Sequence, residues 1–280
     1  MSTIFSYLEE ISCEDIASHI YDLHISSESR GSNDLGILKK TSNLKITINS
    51  DTEYDFEQSI SNLNNSSSST GFVLWRISVP FLDWILNCKY YDFNKRYVVE
   101  LGAGVSGLFA KFIGKRASHY IATDQYHLLK LLKKNISNNL SEFKSTTIDI
   151  EQTVLKKSKK QKKIHDLSTI DVCCYDWENI GQGIEELNQL NPQKPDFIIG
   201  CDIVYNDYLV PHLVDALDAL SDENTIILIG LQLRLLDNIE LFVETLIQKD
   251  FRIYSHTESI LTDELKLGFV IYFIQKKRKS

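Results

Sequence analysis

Apolar and polar positions from residue 97 onward follow a repeating pattern of short apolar runs and longer segments with a helical period. Short apolar runs predict buried strands, and apolar residues spaced by three or four positions predict amphipathic helices. The predicted strands are residues 98–101, 120–123, 196–201, 225–230, 251–254 and 268–274, and Cys173 and Cys174 are expected to end a further strand. The predicted helices are a stretch ending at residue 115, and residues 125–140, 208–220 and 236–246. This alternation predicts a doubly wound α/β fold.

The first 69 residues lack this pattern. Residues 4–20 predict a short amphipathic helix, and the alternation over residues 44–48 predicts a half-buried strand. The Ser/Asn tract at residues 61–70 predicts a flexible loop. Residues 72–86 predict a helix that Pro80 either kinks or marks at its first turn. The chain therefore divides into an N-terminal extension, residues 1–69, and a domain formed by residues 70–280.

The charge of the chain is unevenly distributed. Of the net charge of −8, residues 1–70 carry −7, from 11 acidic and 4 basic residues. An acidic surface repels phosphate backbones and attracts basic proteins, so we expect a basic protein partner and no DNA. The alternative is that this charge only keeps the segment soluble. Residues 156–163 contain six lysines in eight positions, which predicts a solvated surface insertion at about residues 151–168, with a nuclear-import or nucleic-acid patch as the alternative.

The compartment is predicted from three features of the sequence. No apolar run approaches the ~18 residues of a membrane span, and residues 1–7 carry no positive charge of a signal peptide. The five cysteines are odd in number and lack framework spacing, which favours reduced thiols in an intracellular protein. We expect a cytoplasmic protein without a membrane partner, and nuclear localisation is the alternative.

The strongest chemical signal is the segment at residues 100–107, which has the spacing Gly-x-Gly-x-x-Gly after an apolar strand and before a helix. Glycines at these positions permit positive φ and close approach of a ligand to the backbone. Asp124 lies 22 positions after Gly102, at the end of the next predicted strand. A carboxylate there can accept hydrogen bonds from both ribose hydroxyls. This combination predicts a nucleoside-type cofactor.

The same glycine spacing serves dinucleotides and S-adenosylmethionine (SAM). Glu100 stands two residues before the first glycine, and residues 101–110 contain no Arg or Lys. A carboxylate repels a pyrophosphate, whereas it attracts the ammonium and sulfonium groups of SAM. The charge pattern therefore favours SAM over a dinucleotide.

Five motifs in this order resemble the seven-β-strand protein-lysine methyltransferases of the methyltransferase-like family 16. They are TGFVLW (residues 70–75), ELGAG (100–104), ATDQ (122–125), DW (176–177) and CDIVY (201–205). The resemblance covers residues 70–274. It implies a class I SAM-dependent methyltransferase fold, Rossmann-like, with a mostly parallel sheet of seven strands. It also implies SAM as the cofactor and a large-subunit (60S) ribosomal protein as the substrate.

The resemblance assigns roles residue by residue. Residues 102–104 would run beneath the methionine moiety, Asp124 would hold the ribose, and Asp176 and Trp177 would flank the adenine. Asp202 and Tyr205 would lie beside the transferred methyl as the catalytic residues. With Glu100 from the charge pattern, the predicted cofactor-binding residues are Trp75, Glu100, Gly102, Ala103, Gly104, Asp124, Asp176, Trp177 and Cys201. The family's Arg-bearing segment after the fifth strand is represented here only by Arg234, to which the resemblance gives no clear role.

Methyl transfer to lysine requires a neutral amine, and we expect Asp202 to accept a hydrogen bond from the nitrogen while Tyr205 orients it. No metal is required. One alternative is methylation of another acceptor, although the chain lacks the Pro-Pro-Tyr and Pro-Cys elements of nucleic-acid methyltransferases. Another is a catalytically silent SAM-binding scaffold. Individual residues have structural alternatives too: Asp202 as the cap of the following helix, and Trp75 and Trp177 as core aromatics.

Overall fold

The computed structural model describes residues 4–29, 36–48, 52–60, 70–149 and 167–278. Its strands are β1 (Leu8–Ile11), β2 (Asn43–Ile48), β3 (Thr52–Glu57), β4 (Tyr97–Leu101), β5 (His119–Asp124), β6 (Thr169–Cys174), β7 (Phe197–Cys201), β8 (Ile226–Gln232), β9 (Phe251–His256) and β10 (Phe269–Lys276). Its longer helices are α1 (Ile16–Ser29), α2 (Ser78–Asn87), α3 (Tyr126–Asn139), α4 (Ile180–Leu190), α5 (Leu209–Leu220) and α6 (Leu236–Gln248). Ala110–Gly114 forms a short π-helical segment. Within these residues, no helix has the length and apolar character needed to cross a membrane.

Eight strands form one sheet in the order β1-β9-β10-β8-β7-β4-β5-β6. The strands β8, β7, β4, β5 and β6 are parallel to one another, while β10 runs antiparallel to both β8 and β9. From β4 the chain first adds β5 and β6 on one side and then returns to add β7 and β8 on the other. Ligands of doubly wound sheets bind at the carboxyl ends of the strands where the order reverses in this way. The fold therefore places the candidate site at the ends of β4 and β7.

Alternation along the strands creates a core on each face of the sheet, because successive side chains of a strand point in opposite directions. Val98 belongs to a cluster that includes α2, α3 and the β2–β3 hairpin, and its neighbour Val99 belongs to a cluster that includes α1, α4, α5 and α6. The strands between these layers are buried on both sides, which explains their continuous apolar runs. The predicted doubly wound α/β fold is confirmed.

The prediction of a helix over residues 4–20 is wrong in its first half. Residues 8–11 form an edge strand whose Leu8 pairs with His256, and the helix begins only at Ile16. Glu10 faces solvent and receives two hydrogen bonds from Arg252 of β9, at 3.0 and 3.1 Å. This cross-strand pairing outweighs the local helical pattern. The extension thus adds an eighth strand to the seven formed by residues 97–276.

Other predictions are confirmed in place but with changed bounds. The strand over residues 44–48 is β2, with Leu44, Ile46 and Ile48 buried. Pro80 lies in the first turn of α2, which begins at Ser78 and not at residue 72. Besides β1, three elements were not predicted: β3, most of β6, and α4. All but the last residue of the loop predicted for residues 61–70, and most of the lysine-rich insertion, lie outside the described residues.

The N-terminal residues pack directly on the predicted domain. The Asn135 side chain of α3 donates to the carbonyl oxygens of Glu57 in β3 (2.8 Å) and Val105 in the glycine loop (2.7 Å). The Tyr54 hydroxyl donates to the carbonyl oxygen of Ser106. The β2–β3 hairpin therefore supports the back of the glycine loop, and the boundary at residue 69 stays a prediction.

Candidate active site

One cavity lies at the carboxyl ends of the central strands and encloses about 800 Å³, including its open mouth. Every residue predicted for the cofactor and for catalysis lines it: Trp75, Glu100, Gly102, Ala103, Gly104, Asp124, Asp176, Trp177, Cys201, Asp202 and Tyr205. The lining also contains residues that were not predicted, among them Thr70, Gly71, Ser78, Phe109, Tyr175, Ile203 and Leu209. The structure thus brings the five motifs together, while the roles of the individual residues stay predictions.

The glycine loop requires glycine at the two positions nearest the cavity. Gly102 and Gly104 have φ values of +66° and +59°, which side chains disfavour. A Cβ on Gly102 would stand 2.7 Å from Ile203, and one on Gly104 would stand 2.9 Å from the carbonyl oxygen of Gly71. That carbonyl also accepts the amide of Val105 at 2.9 Å. Gly71, which belongs to the TGFVLW motif, therefore closes over the loop.

Asp124 is the last residue of β5 and is fixed by two amides. Its Oδ2 accepts the Gly104 amide and its Oδ1 accepts the Gln125 amide, each at 2.7 Å. Burial raises the pKa of Asp124 to about 6, while the two amides act in the opposite direction. Each oxygen has further acceptor capacity, because a carboxylate oxygen can accept more than one hydrogen bond. Asp124 therefore joins the glycine loop and can still receive two hydroxyl donors.

Glu100 lies beneath the loop and is 3% exposed. The Tyr120 hydroxyl donates to its Oε2 at 2.6 Å. Burial raises the pKa of Glu100 to about 7, although the Tyr120 hydrogen bond acts to lower it. The charge pattern of the sequence predicts an ordinary ionised carboxylate at Glu100. In the structure its charge at neutral pH is only partial, so a nearby cation would favour ionisation.

The far end of the cavity is formed by the segment after β6. Asp176 caps the short turn Trp177–Asn179 by accepting the Glu178 amide at 3.2 Å. The Trp177 ring lies 3.5 Å from the point where a Cβ on Gly102 would stand. An aromatic ring against a bare glycine backbone leaves a flat apolar surface that suits a planar ring system. Trp177 is partly exposed on this surface and not enclosed as a core aromatic.

Asp202 follows β7 and adopts a left-handed conformation with φ of +57°. Its Oδ1 accepts the Gln232 amide at 3.1 Å, and its Oδ2 accepts Arg234 Nη2 at 2.6 Å. Helix α5 begins only at Leu209 with Tyr208 before it, so the alternative of Asp202 as a helix cap is wrong. Burial raises the pKa of Asp202, and the Arg234 guanidinium opposes that rise. Asp202 is therefore a carboxylate held from two sides by the end of β8.

Two further side chains complete the wall beside Asp202. Tyr205 is largely buried, which raises the pKa of its hydroxyl, and a hydrogen bond with the Thr70 side chain opposes that effect. Cys201 Sγ donates to Ser78 Oγ at 3.4 Å, at the start of α2. Burial raises the pKa of the Cys201 thiol, so this cysteine lines the cavity as a neutral group. Ser78 carried no sequence signal, because its contact depends on how α2 packs on β7.

Arg234 is the residue of this region for which no role was predicted. Its guanidinium lies 4.7 Å from the centre of the Trp75 ring while it pairs with Asp202. Stacking on an aromatic face and pairing with a carboxylate are both typical of arginine. Arg234 thereby links Trp75 and Asp202, two residues of the cavity lining that are far apart in sequence.

Comparisons with known proteins identify a family model and several relatives that are similar to this chain. A family model described as lysine methyltransferase matches residues 55–191 and 176–249. A protein named ribosomal lysine N-methyltransferase 5 from Kluyveromyces lactis is 28% identical, over 89% of this chain and 94% of its own length. A protein of the same name from Vanderwaltozyma polyspora is 27% identical, over 95% and 98%. Among solved structures, an O-methyltransferase family protein from Burkholderia thailandensis is 9% identical over 73% of this chain and 57% of its own, with a TM-score of 0.46.

Proposed function

The chain belongs to the lysine methyltransferase family, and on this premise we propose that it transfers a methyl group from SAM to a lysine of a ribosomal protein. One observation carries the proposal: the glycine loop, Asp124 and the ion-paired Asp202 line a single cavity. Asp124 and the loop form the part that suits a nucleoside, and Asp202 stands where β7 ends beside them. Binding and transfer can therefore occur in one pocket.

The residues present fit SAM. Bare backbone at Gly102 and Gly104 leaves a cradle that a Cβ would fill. Asp124 would hold the ribose hydroxyls through the lone pairs that its two amide contacts leave. Trp177 and Asp176 would hold the adenine, and Glu100 supplies the only acidic side chain directly before the loop. When bound, SAM supplies an electrophilic methyl group.

The protein's own part in transfer is to hold a neutral lysine amine in line. Free lysine has a pKa of ~10.4, and desolvation next to a cation lowers it. Asp202 accepts a hydrogen bond from the incoming nitrogen and so orients its lone pair, since both carboxylate oxygens are fixed by Gln232 and Arg234. Tyr205 lines the same wall and limits the positions that the nitrogen can take. Alignment of this kind is the main contribution that such a site can make.

The substrate class in this proposal rests on the relatives. Two of them are named ribosomal lysine N-methyltransferase 5, and the chain covers more than nine-tenths of each. We assign to this chain a basic protein of the large ribosomal subunit as substrate, and the cytoplasm as its compartment. The acidic N-terminal residues support a basic partner, because opposite charges steer association. Mass spectrometry of ribosomal proteins from cells with and without the chain tests this assignment. A lysine whose methylation disappears in one large-subunit protein supports it, whereas unchanged proteins or altered RNA contradict it.

Asp202→Asn tests the catalytic part of the proposal. Asparagine keeps the size and also tolerates positive φ, so the fold should persist. SAM affinity should stay within about threefold of wild type, while the single-turnover rate of methyl transfer should fall by on the order of 10²-fold, because a misplaced reacting atom is costly. Paired calorimetry and rapid-quench assays measure both quantities. An unchanged rate would remove Asp202 from catalysis, and a rate loss matched by lost SAM affinity would assign it to cofactor binding.

A further inference from the structure

Arg234 has a more constrained position than an ordinary surface arginine. Its side chain is only 20% exposed, and its carboxylate partner is 1% exposed. One edge of the guanidinium meets Asp202 at 2.6 Å, and one face lies over Trp75 at 4.7 Å. Two independent contacts therefore define both the orientation of its plane and the position of its charge.

The N-terminal residues 36–41, which we call the strap, pair with the segment that carries Trp75. The Arg76 amide donates to the Gly36 carbonyl at 2.7 Å, and the Leu38 amide donates to the Leu74 carbonyl at 3.0 Å. Ile37 thereby forms an antiparallel bridge with Trp75. The strap lies along the segment that carries Trp75 and is held in register with it.

The Gln58 side chain fixes the same strap from the other side. Its Nε2 donates to the carbonyl oxygens of Lys39 and Thr41, both at 2.7 Å, and its Oε1 accepts the Leu74 amide at 3.0 Å. Gln58 is 4% exposed, so these bonds form in a dry environment where an unmade one would be costly. The strap is thus held firmly against the segment that carries Trp75.

Gly36 is the point where the strap meets Arg234. It is buried and has φ of +80°. A Cβ at this position would stand 2.4 Å from both Arg234 Nη1 and Gln232 Oε1. The Arg234 guanidinium and the Gln232 side chain therefore occupy the space that any side chain at residue 36 would need.

We infer that Arg234 is a positioning residue for Asp202, and that Gly36 and Trp75 hold Arg234 in the orientation that this task requires. The inference rests on the proposed function, because it assigns Arg234 to the carboxylate that receives the substrate nitrogen. It also gives the acidic N-terminal extension a part in the active site. Arg234 acts through Asp202, whose second oxygen is already fixed by the Gln232 amide. Lysine cannot replace it fully, because an ammonium group has neither the planar fork nor the stacking face.

The first test combines Arg234→Met with Asp202→Asn. The assay measures transfer of labelled methyl from SAM to purified proteins of large ribosomal subunits from cells that lack the chain. Arg234→Met alone should slow single-turnover transfer by on the order of 10²-fold and leave SAM affinity within about threefold. In the Asp202→Asn background, Arg234→Met should lower the transfer rate by less than about twofold further. Both substitutions remove the same interaction, the pairing of Asp202 with Arg234. Arg234→Lys should recover part of the rate but remain below wild type.

A second test approaches Arg234 from the strap without changing it. Gly36→Ala should slow transfer by at least about tenfold, again with little change in SAM affinity, since a Cβ must displace the guanidinium. Gly181→Ala is the matched control, because nothing lies within 4 Å of a Cβ at residue 181. Circular dichroism and thermal unfolding show which variants are folded. If Arg234→Met does not fold, the double variant with Asp202→Asn removes both buried charges and keeps the comparison available.

The results of these assays distinguish failure of the role inferred for Arg234 from failure of the proposed function. Wild-type protein that methylates no ribosomal lysine contradicts the proposed function, whatever the variants do. If the wild type is active, normal transfer by Arg234→Met overturns the inference. The inference is also overturned if the rate losses of Arg234→Met and Asp202→Asn multiply in the double variant. Such a result would mean that Arg234 acts independently of the Asp202 carboxylate. Loss of SAM affinity in step with the rate would place Arg234 in cofactor binding instead.

Discussion

Replacing Glu100 with glutamine should remove most of the pH dependence of SAM binding. Glu100 is fully buried beneath the glycine loop, and this burial raises its pKa to about 7. A cation bound beside it favours the ionised form, so binding at acidic pH must first displace a proton. Glutamine retains an oxygen that can accept the Tyr120 hydroxyl, and it loses only the charge. The variant therefore isolates the charge from the packing.

The magnitude follows from the pKa. For a group with a pKa of about 7, the ionised fraction is about 0.9 at pH 8 and about 0.1 at pH 6. Wild-type SAM affinity should therefore fall about tenfold between these values, or about 1.4 kcal/mol. Asp124, with a pKa of about 6, should add a further factor of about two at pH 6 in both proteins. The ratio of wild-type to Glu100→Gln affinity should thus fall about tenfold from pH 8 to pH 6.

Calorimetric titration of SAM from pH 6 to pH 8 measures this ratio. Titration of the amino group of SAM affects both proteins equally and cancels. Repeating the titrations in two buffers of different ionisation enthalpy should show proton release by wild type near pH 6.5 and much less by Glu100→Gln. Glu244→Gln, an exposed position on α6, is the matched control and should behave as wild type. A ratio that does not change with pH would refute the assignment of Glu100 to the cationic part of the cofactor.

Three further predictions concern other parts of the molecule. Gly104→Ala should weaken SAM binding by at least about tenfold, because residue 104 has positive φ and a Cβ would meet the Gly71 carbonyl at 2.9 Å, whereas Gly181→Ala should have no effect. Asp124→Ala should weaken SAM binding by about 1.5–3 kcal/mol, and neither form should bind NADH, whose binding in a fluorescence titration would revive a dinucleotide site. Asp171→Asn should lower the free energy of unfolding by about 2 kcal/mol at pH 7, since Asp171 is buried and accepts hydrogen bonds from His119 and residues 145–147. Those bonds outweigh burial and hold the pKa of Asp171 below its usual value. The difference in denaturant midpoint between wild type and Asp171→Asn should therefore shrink as the pH falls below about 4. A difference that stays constant with pH would contradict this account.

Three of the cavity residues were accessible to sequence reasoning because they stand where a buried strand ends. Gly102, Asp124 and Asp202 all lie directly at the carboxyl ends of β4, β5 and β7, and parallel strands bring those ends to one edge. The strands themselves were readable because burial on both faces makes them continuously apolar. In this half of the chain, the local hydrophobic pattern was therefore sufficient to predict where these residues lie in the fold.

Features that depend on register or on distant packing were missed. The pairing of Asp202 with Arg234 spans 32 positions and depends on where β8 ends relative to β7. Helix α4 was missed because Gly181 and Gly183 resemble a loop, yet a Cβ on Gly183 would stand 2.0 Å from the Tyr175 ring, so this glycine makes room for a packed aromatic. The strand β1 was missed because its pattern is helical and only β9 makes it extended. Each of these features depends on a tertiary contact that the local sequence pattern does not indicate.

The two buried carboxylates of the cavity differ in what opposes their burial, and this difference separates their roles. Glu100 has a neutral hydroxyl donor in Tyr120, so its charge varies near pH 7 and responds to the arrival of a cation. Asp202 has a guanidinium partner at 2.6 Å, which favours its charged form whether or not a ligand is present. A carboxylate that becomes charged as a cation binds contributes to the affinity for that cation. A carboxylate whose charged form is stabilised by a fixed arginine can instead receive a lysine nitrogen throughout the catalytic cycle. Neighbouring acids with different environments can thus serve binding and transfer separately within a single pocket.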